Sequence, residues 1–334
     1  MNNIKLLKEE IINALDDRVL NLIIFPTEKC NFRCTYCYED FLIGKMPTAI
    51  SNAIKKLIQN RFDDLQLLTI SWFGGEPLLN KEIIYDISDF ILKNKPSSLN
   101  FNASITTNGY LLDENTFKKL IECNVKQFQI SLDGDMCIHN ESRKLANGKP
   151  TFNKIWENIL LMHNLDYDFE LLIRVHFTKD NYLKHSSLIK KFNQTLSNDQ
   201  RIKFYFRYIA RFGGQNDEDI EQLNDEEKVN IKSYLDNQLL NKQQICNLDK
   251  QYICYASKAN SLMIRANGKI GKCTIALNDD RNEIGTINKN GEISINNKFY
   301  LWIKGLESLE LPTLTCPLRK LKENKIDCVE NTCT

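Results

Sequence analysis

No run of apolar residues in this 334-residue chain approaches the roughly 20 that a membrane-crossing helix needs. The opening segment, MNNIKLLKEEIINALDD, has an amphipathic helical period but lacks the uninterrupted apolar core of a secretory signal. The cytoplasm is therefore the expected location, without a membrane partner. Charge imbalance is missing too. A formal net charge of +1 argues against a broad nucleic-acid or membrane surface and disfavours a nucleic-acid-modifying enzyme. There is no internal repeat, and no low-complexity tract beyond a general richness in Asn and Lys.

Cysteine, by contrast, is abundant. The chain has 11, and in a reducing compartment such cysteines are more often metal ligands or catalytic groups than disulfides. Cys30, Cys34 and Cys37 sit close together, and Cys246, Cys254, Cys273, Cys316, Cys328 and Cys333 fall in the last third. Cys123 and Cys137, between the groups, read as small buried apolar residues.

From residue 19 strands and helices alternate. Strands are expected at 19–27, 67–74, 99–109, 126–134, 170–179 and 202–210. Helices are expected near 47–61, 81–94, 114–124, 152–165 and 188–196. This alternation predicts βα units and a parallel sheet. Six units fall short of a closed eight-fold barrel, so the expected fold is α/β, a partial (β/α)6 TIM-like barrel. Its chemistry should collect at the C-terminal strand ends. The loops there carry Cys30-Cys34-Cys37, Gly74-Gly75-Glu76-Pro77, Thr107-Asn108-Gly109 and Ser131-Leu132-Asp133-Gly134. Four unusual loops on one rim weigh more than any one of them. The expected organisation is an N-terminal helix (1–18), the barrel (19–215), a helical connector (216–245) and a small cysteine-rich domain (246–334). Asn-Gly turns in that last part signal hairpins.

Three thiolates on one short loop, spaced Cys30-x3-Cys34-x2-Cys37, can grip three corners of an iron–sulfur cubane and leave one iron open. Structural zinc is the competing reading, but it usually closes with four ligands, and no fourth Cys or His lies nearby. The Gly74-Gly75 pair lets backbone approach a ligand closely. Glu76 can accept hydrogen bonds from an ammonium group, and Ser131 and Arg143 can hold hydroxyls and a carboxylate. Arg174 and His176 either point into the barrel mouth or are core-rim residues.

CNFRCTYCYED resembles the CxxxCxxC signature of radical S-adenosylmethionine (SAM) enzymes, with Tyr36 just before the last cysteine. WFGGEPLL is similar to that family's GGEP motif, and TTNG and SLDG look like further motifs. SLDGDMCIHNESR places His139 and Arg143 where the subgroup usually has them. The resemblance covers about residues 20–215. It implies a [4Fe-4S] cluster on Cys30, Cys34 and Cys37 whose open iron chelates SAM. It implies SAM contacts from Tyr36, Gly74, Gly75, Glu76, Asn108, Ser131 and Arg143. It also implies reductive cleavage to a 5′-deoxyadenosyl radical that abstracts a hydrogen atom. It names no catalytic acid or base.

Cys254-x13-Gly268-x4-Cys273 looks like the opening of a SPASM or twitch domain, which binds auxiliary [4Fe-4S] clusters in peptide-modifying members. Cys316, Cys328 and Cys333 would supply further ligands, with Cys246 either ligand or bystander. The pattern departs from the usual one: position 313 is Thr, so a CxxC pair is absent, and the later spacings are stretched. One auxiliary cluster or two remain open at this stage, as does a zinc ribbon on the same cysteines.

The resemblance implies a maturase that cross-links a ribosomally made precursor peptide through a C–C cyclophane, thioether or similar bond. It would need an electron donor such as flavodoxin or ferredoxin. The roughly 20 residues before the barrel are too few for a leader-binding domain, so a separate leader-binding protein is a candidate partner. Two alternatives stand beside it. One is formylglycine formation in the manner of anaerobic sulfatase maturases, which typically carry a fuller cysteine set. The other is a non-catalytic iron–sulfur or zinc protein.

Overall fold

The computed structural model describes residues 2–245 and 253–321. The strands in chain order are β1 (Val19–Ile24), β2 (Phe32–Cys34), β3 (Leu67–Trp72), β4 (Asn100–Thr107), β5 (Val125–Ser131) and β6 (Arg143–Leu145). They continue as β7 (Glu170–Phe177), β8 (Ile202–Tyr208), β9 (Ser261–Ile264), β10 (Lys269–Gly271), β11 (Gly285–Ile287) and β12 (Ile293–Ile295). The α-helices are α1 (Asn2–Leu15), α2 (Thr48–Gln59), α3 (Lys81–Asn94), α4 (Glu114–Glu122) and α5 (Met136–Ser142). After them come α6 (Phe152–Asn164), α7 (Ser186–Thr195), α8 (Asp225–Gln238), α9 (Lys298–Ser308) and α10 (Leu311–Thr315).

β1, β3, β4, β5, β7 and β8 stand side by side in that order, every neighbouring pair parallel. This is the six-stranded partial barrel expected from the alternation of elements. Helices such as α4 form where the apolar period is helical and a side chain caps the start. Asp113 accepts from the backbone N–H of Thr116 at 2.8 Å. Asn224 and Glu227 form a reciprocal capping box on α8.

The sheet has two unlike faces. Leu20, Leu22, Ile24, Leu68, Ile70, Trp72, Phe101, Ile105, Phe128, Ile130, Leu171 and Ile173 are buried in the main core. The alternate residues Thr69, Ser71, Ser104, Thr106, Gln129, Ser131 and Arg174 are only half-buried. A period of two thus puts apolar side chains under the helices and polar ones on the opposite, concave face. A face this polar is suited to a polar ligand.

The C-terminal region continues the same sheet. β9 pairs in parallel with β1, Asn21 opposite Ser261 through Ile24 opposite Ile264. β10, β11 and β12 then extend it as antiparallel hairpins. Gly268 and Gly291 have φ of +83° and +78°, so both Asn-Gly turns use the left-handed conformation that glycine enters freely. α1 is tied to this region: Ala259 N–H donates to Ala14 O at 2.9 Å, and Asn260 Nδ2 to Asp16 O at 2.9 Å.

Candidate active site

The cysteine loop leaves β1 and is gripped from three sides. Glu76 N–H donates to Lys29 O at 2.9 Å. Asn108 Nδ2 donates to Asn31 Oδ1 at 2.8 Å and lies 4.0 Å from Cys30 Sγ. Phe32 N–H points at Cys30 Sγ from 3.3 Å. A Cβ on Gly74 would sit 2.4 Å from Thr27 O, and one on Gly75 2.5 Å from Lys29 O. The glycine pair was expected to let backbone approach a ligand. The pair also approaches the backbone of the cysteine loop closely, which excludes side chains there.

Glu76 is fully buried and well occupied. Its Oε1 accepts from Thr107 Oγ1 at 2.7 Å and Leu78 N–H at 3.0 Å, and its Oε2 from Asn108 N–H at 2.7 Å. It thereby staples the GGEP and TTNG loops together. Burial raises its pKa, against the pull of those three donors.

A second cluster forms around Asp133. Tyr36 Oη donates to Asp133 Oδ2 and accepts from Arg143 Nη1 at 2.7 Å. Asp133 is held below the usual carboxylate range; burial opposes this, but the hydrogen bond from His176 and the charge of Arg143 outweigh it. An ionised carboxylate only accepts, so His176 Nδ1–H donates to Asp133 Oδ1 at 2.9 Å. Burial pulls His176 down to about 4, with Asp133 opposing, so its ring is neutral at pH 7. Arg143 stays charged. Burial works against it, but Cys34, Tyr36 and Asp133 raise its pKa.

Arg143 reaches this cluster because β2 and β6 form a two-stranded antiparallel sheet in which Cys34 lies opposite Arg143. His139 braces it. Its Nδ1 accepts from Asp133 N–H at 3.2 Å, and its Nε2 faces Thr151 Oγ1 at 3.0 Å. Thr151 Oγ1 in turn donates to Arg143 O at 2.5 Å.

Burial pushes all three thiols of the loop up, Cys37 to about 12; Cys30 feels Cys34 and Cys37 electrostatically, and Cys37 feels Cys34. A pocket that disfavours bare thiolates suits a group whose positive iron compensates them. The unpartnered, shielded Nε of Arg143 and Oε2 of Glu39 lie beside the loop. Burial, then the neighbouring Glu28, pushes the Glu39 carboxyl up to about 8. Three cysteines on one loop are the donor chemistry that an iron–sulfur cluster takes, although among the described residues no three or more His, Cys, Asp or Glu side chains are gathered closely enough for a single metal ion. Segment 212–216 crosses the loop as well: Asn216 Nδ2 donates to Thr35 O at 2.7 Å, and Phe212 meets Tyr38 edge-on at 5.8 Å.

In the C-terminal region Cys254, Cys273 and Cys316 come within electrostatic reach of one another. Cys254 N–H donates to Leu314 O at 2.9 Å, which joins the first of these cysteines to the segment before the third. Between them Lys272 is buried, its ammonium donating to the carbonyls of Lys258 and Ser261 at 2.5 and 2.6 Å. Cys246, Cys328 and Cys333 lie outside the described residues. A buried bidentate ion pair ties this region to the cysteine loop: Arg265 Nε and Nη2 donate to Glu28 Oε1 and Oε2 at 3.1 and 2.5 Å.

Among the expected site residues, Tyr36, Glu76, Asn108 and Arg143 are joined to the cysteine loop by hydrogen bonds or strand pairing. Ser131 ends β5, opposite Arg174 on β7. At the sequence level Asp133 had no role of its own, and His176 was read only as a residue of the barrel mouth or of the core rim. Asp133 stood inside the SLDG motif, and His176 sits on the polar phase of β7; that alternation was the available signal.

Residues 24–182 match the radical SAM superfamily, and the chain carries a radical SAM domain. It is 32% identical over 181 residues to a cysteine-type anaerobic sulfatase-maturating enzyme of Clostridium novyi, covering 52% of this chain and 47% of that protein. The chain thus matches about half the length of that relative. The solved structure of anSMEcpe with bound AdoMet and the Kp18Cys peptide has a TM-score of 0.67 at 22% identity, covering 86% of this chain and 83% of that one. Streptococcus suis SuiB bound to precursor peptide SuiA has a TM-score of 0.60 at 16% identity, covering 92% and 70%. At these identities the likeness is one of fold. Among the described residues no helix is long and apolar enough to cross a membrane.

Proposed function

We propose, for a chain that carries a radical SAM domain, that it matures a ribosomally made precursor peptide by cross-linking it. The observation that carries this reading is the convergence of the GGEP, TTNG and SLDG loops on Cys30, Cys34 and Cys37, at the rim of an open, polar concave face. Cys30, Cys34 and Cys37 would hold the [4Fe-4S] cluster. Tyr36, Gly74, Gly75, Glu76, Asn108, Ser131 and Arg143 would hold SAM. When bound and reduced, the cluster and SAM would supply a 5′-deoxyadenosyl radical able to remove a hydrogen atom from the peptide.

The chain's own residues would do the rest. Glu76 keeps two loops in register and has a lone pair on Oε2 to spare for an ammonium group. Tyr36 and Asp133 aim the Arg143 guanidinium. The peptide would lie along the polar face of the sheet. Two of the solved structures with a similar fold hold bound peptides, which favours a peptide substrate.

Cys254, Cys273 and Cys316 would form part of a SPASM/twitch-like auxiliary cluster site, one cluster or two, with Cys328, Cys333 and Cys246 as further candidate ligands. Flavodoxin or ferredoxin is the proposed class of electron donor, a separate leader-binding protein a proposed partner, and the cytoplasm the proposed location. Formylglycine formation is the second reading, favoured by the 32% identity to the clostridial sulfatase-maturating enzyme.

Anaerobic reconstitution tests the reading. The wild type should cleave SAM to 5′-deoxyadenosine with dithionite, and Cys30→Ala/Cys34→Ala/Cys37→Ala should lose about four irons and all cleavage. A wild type that binds zinc and makes no 5′-deoxyadenosine sinks the enzyme reading. Conversion of a Cys-containing sulfatase peptide to its aldehyde would select the second reading over the first.

A further inference from the structure

Several half-buried arginines in this protein meet a carboxylate. Arg201 meets Asp199 at 2.8 Å, Arg265 meets Glu28 at 2.5 Å and Arg281 meets Asp279 at 2.6 Å. Arg174 differs. It stands on the concave face of β7, opposite Ser131 on β5 and Tyr205 on β8. Among the described residues no carboxylate forms an ion pair with it, and its Nε is shielded from solvent with no hydrogen-bond partner. Its charged neighbour is another cation, Arg207, which donates to Tyr205 Oη at 3.2 Å and lies over the Tyr208 ring at 4.8 Å. Burial and then Arg207 lower the Arg174 pKa; the groups that raise it are Tyr38, Tyr205 and Tyr36.

A half-buried guanidinium with a second one near it, and no carboxylate of its own among the described residues, is stabilised by an anion that completes it. The planar fork of arginine matches a carboxylate in bidentate fashion. We infer that Arg174, with Arg207 beside it, forms a carboxylate-binding subsite on the concave face, close to Tyr36 and Tyr38 of the cysteine loop. The inference rests on the proposed reading, in which both ligands of this cavity carry carboxylates: the methionyl end of SAM, and an acidic side chain or C-terminus of the peptide.

The test uses the reconstituted full chain, anaerobically and without turnover. The wild type, Arg174→Gln and Arg174→Lys are compared in two arms. The first measures dissociation constants of SAM and of decarboxylated SAM. The second measures the thermal shift given by glutarate and by neutral glutaramide at saturating SAM. If the subsite takes the peptide's carboxylate, glutarate but not glutaramide raises the wild-type Tm saturably. Arg174→Gln then abolishes that shift, Arg174→Lys restores it in part, and SAM affinity stays within about twofold. If it takes SAM's carboxylate, Arg174→Gln weakens SAM by at least about tenfold and leaves decarboxylated SAM unchanged. An Arg174→Gln protein that folds, holds its cluster and differs from wild type in neither arm overturns the inference. A wild type lacking cluster and 5′-deoxyadenosine formation defeats the radical reading separately, since neither arm depends on turnover.

Discussion

Arg143 lies opposite Cys34 in the small antiparallel sheet of β2 and β6, and from there its Nη1 reaches Tyr36 Oη at 2.7 Å. One strand pair thus joins the cysteine loop to the segment after SLDG, although 109 positions separate Cys34 from Arg143 in the chain. Arg143→Met should leave Asp133 charged and buried with less compensation. A loss of about 3 kcal/mol or more in stability is expected, with 5′-deoxyadenosine formation reduced at least tenfold. Urea unfolding of the cluster-free chain and an anaerobic product assay measure the two effects; unchanged stability would contradict the arrangement around Asp133.

Gly75 offers a cleaner perturbation of the loop. A Cβ there would sit 2.5 Å from a backbone oxygen rather than from a yielding side-chain tip. Gly75→Ala should therefore shift the Lys29–Cys30 backbone and lower the iron bound after reconstitution, while the far-UV circular dichroism stays that of the wild type. Gly148→Ala, with φ of +81° but nothing within 4 Å, is the control for strain alone and should keep its iron.

The buried histidines set a pH dependence. Burial lowers His139 to about 3 from an ordinary value of 6.5. Below pH 6.5 the unfolded chain takes up a proton that the folded one refuses, so stability falls as pH falls from about 6.5 toward 3. Each such group contributes at most about 1.4 kcal/mol per pH unit in that window. His176, lowered to about 4, acts in the same direction over a narrower window. Asp133, lowered, adds a loss only below the ordinary carboxylate range. The Tm of the cluster-free chain should drop between pH 7 and 5, and His139→Gln should flatten the slope while lowering the plateau. A slope identical in the variant would rule out His139 as its source.

The Glu28–Arg265 pair joins the cysteine loop to the β9–β10 turn. Removing one partner strands a buried charge, so Arg265→Met should cost about 3–5 kcal/mol, and Glu28→Gln/Arg265→Met together less than that. A double-mutant cycle by urea unfolding measures the coupling. Additive effects would show that the pair holds nothing together.

Much of this protein is written along its chain. Alternating apolar phases marked the six parallel strands and the helices between them, with strand starts within one residue and strand ends overrun by two or three, because each element's burial period is local. The Cys30-x3-Cys34-x2-Cys37 spacing marked the cysteine loop for the same reason: one short segment carries all three thiols. What only the tertiary structure decided are the long-range pairings. β9 could not be seen to join β1, since a parallel neighbour leaves no turn signal. Nor could β6 be seen to pair with β2, a register of three residues on each strand. Glu76 read as a group waiting for an ammonium, whereas Thr107 and Asn108, about 30 residues away, already fill most of it. Asp133 belonged to the SLDG motif and Arg174 to the barrel mouth or the core rim, with nothing local to separate their environments. Their difference, one charge satisfied and the other not, comes from which neighbours the curved sheet brings alongside them, and no local pattern encodes that.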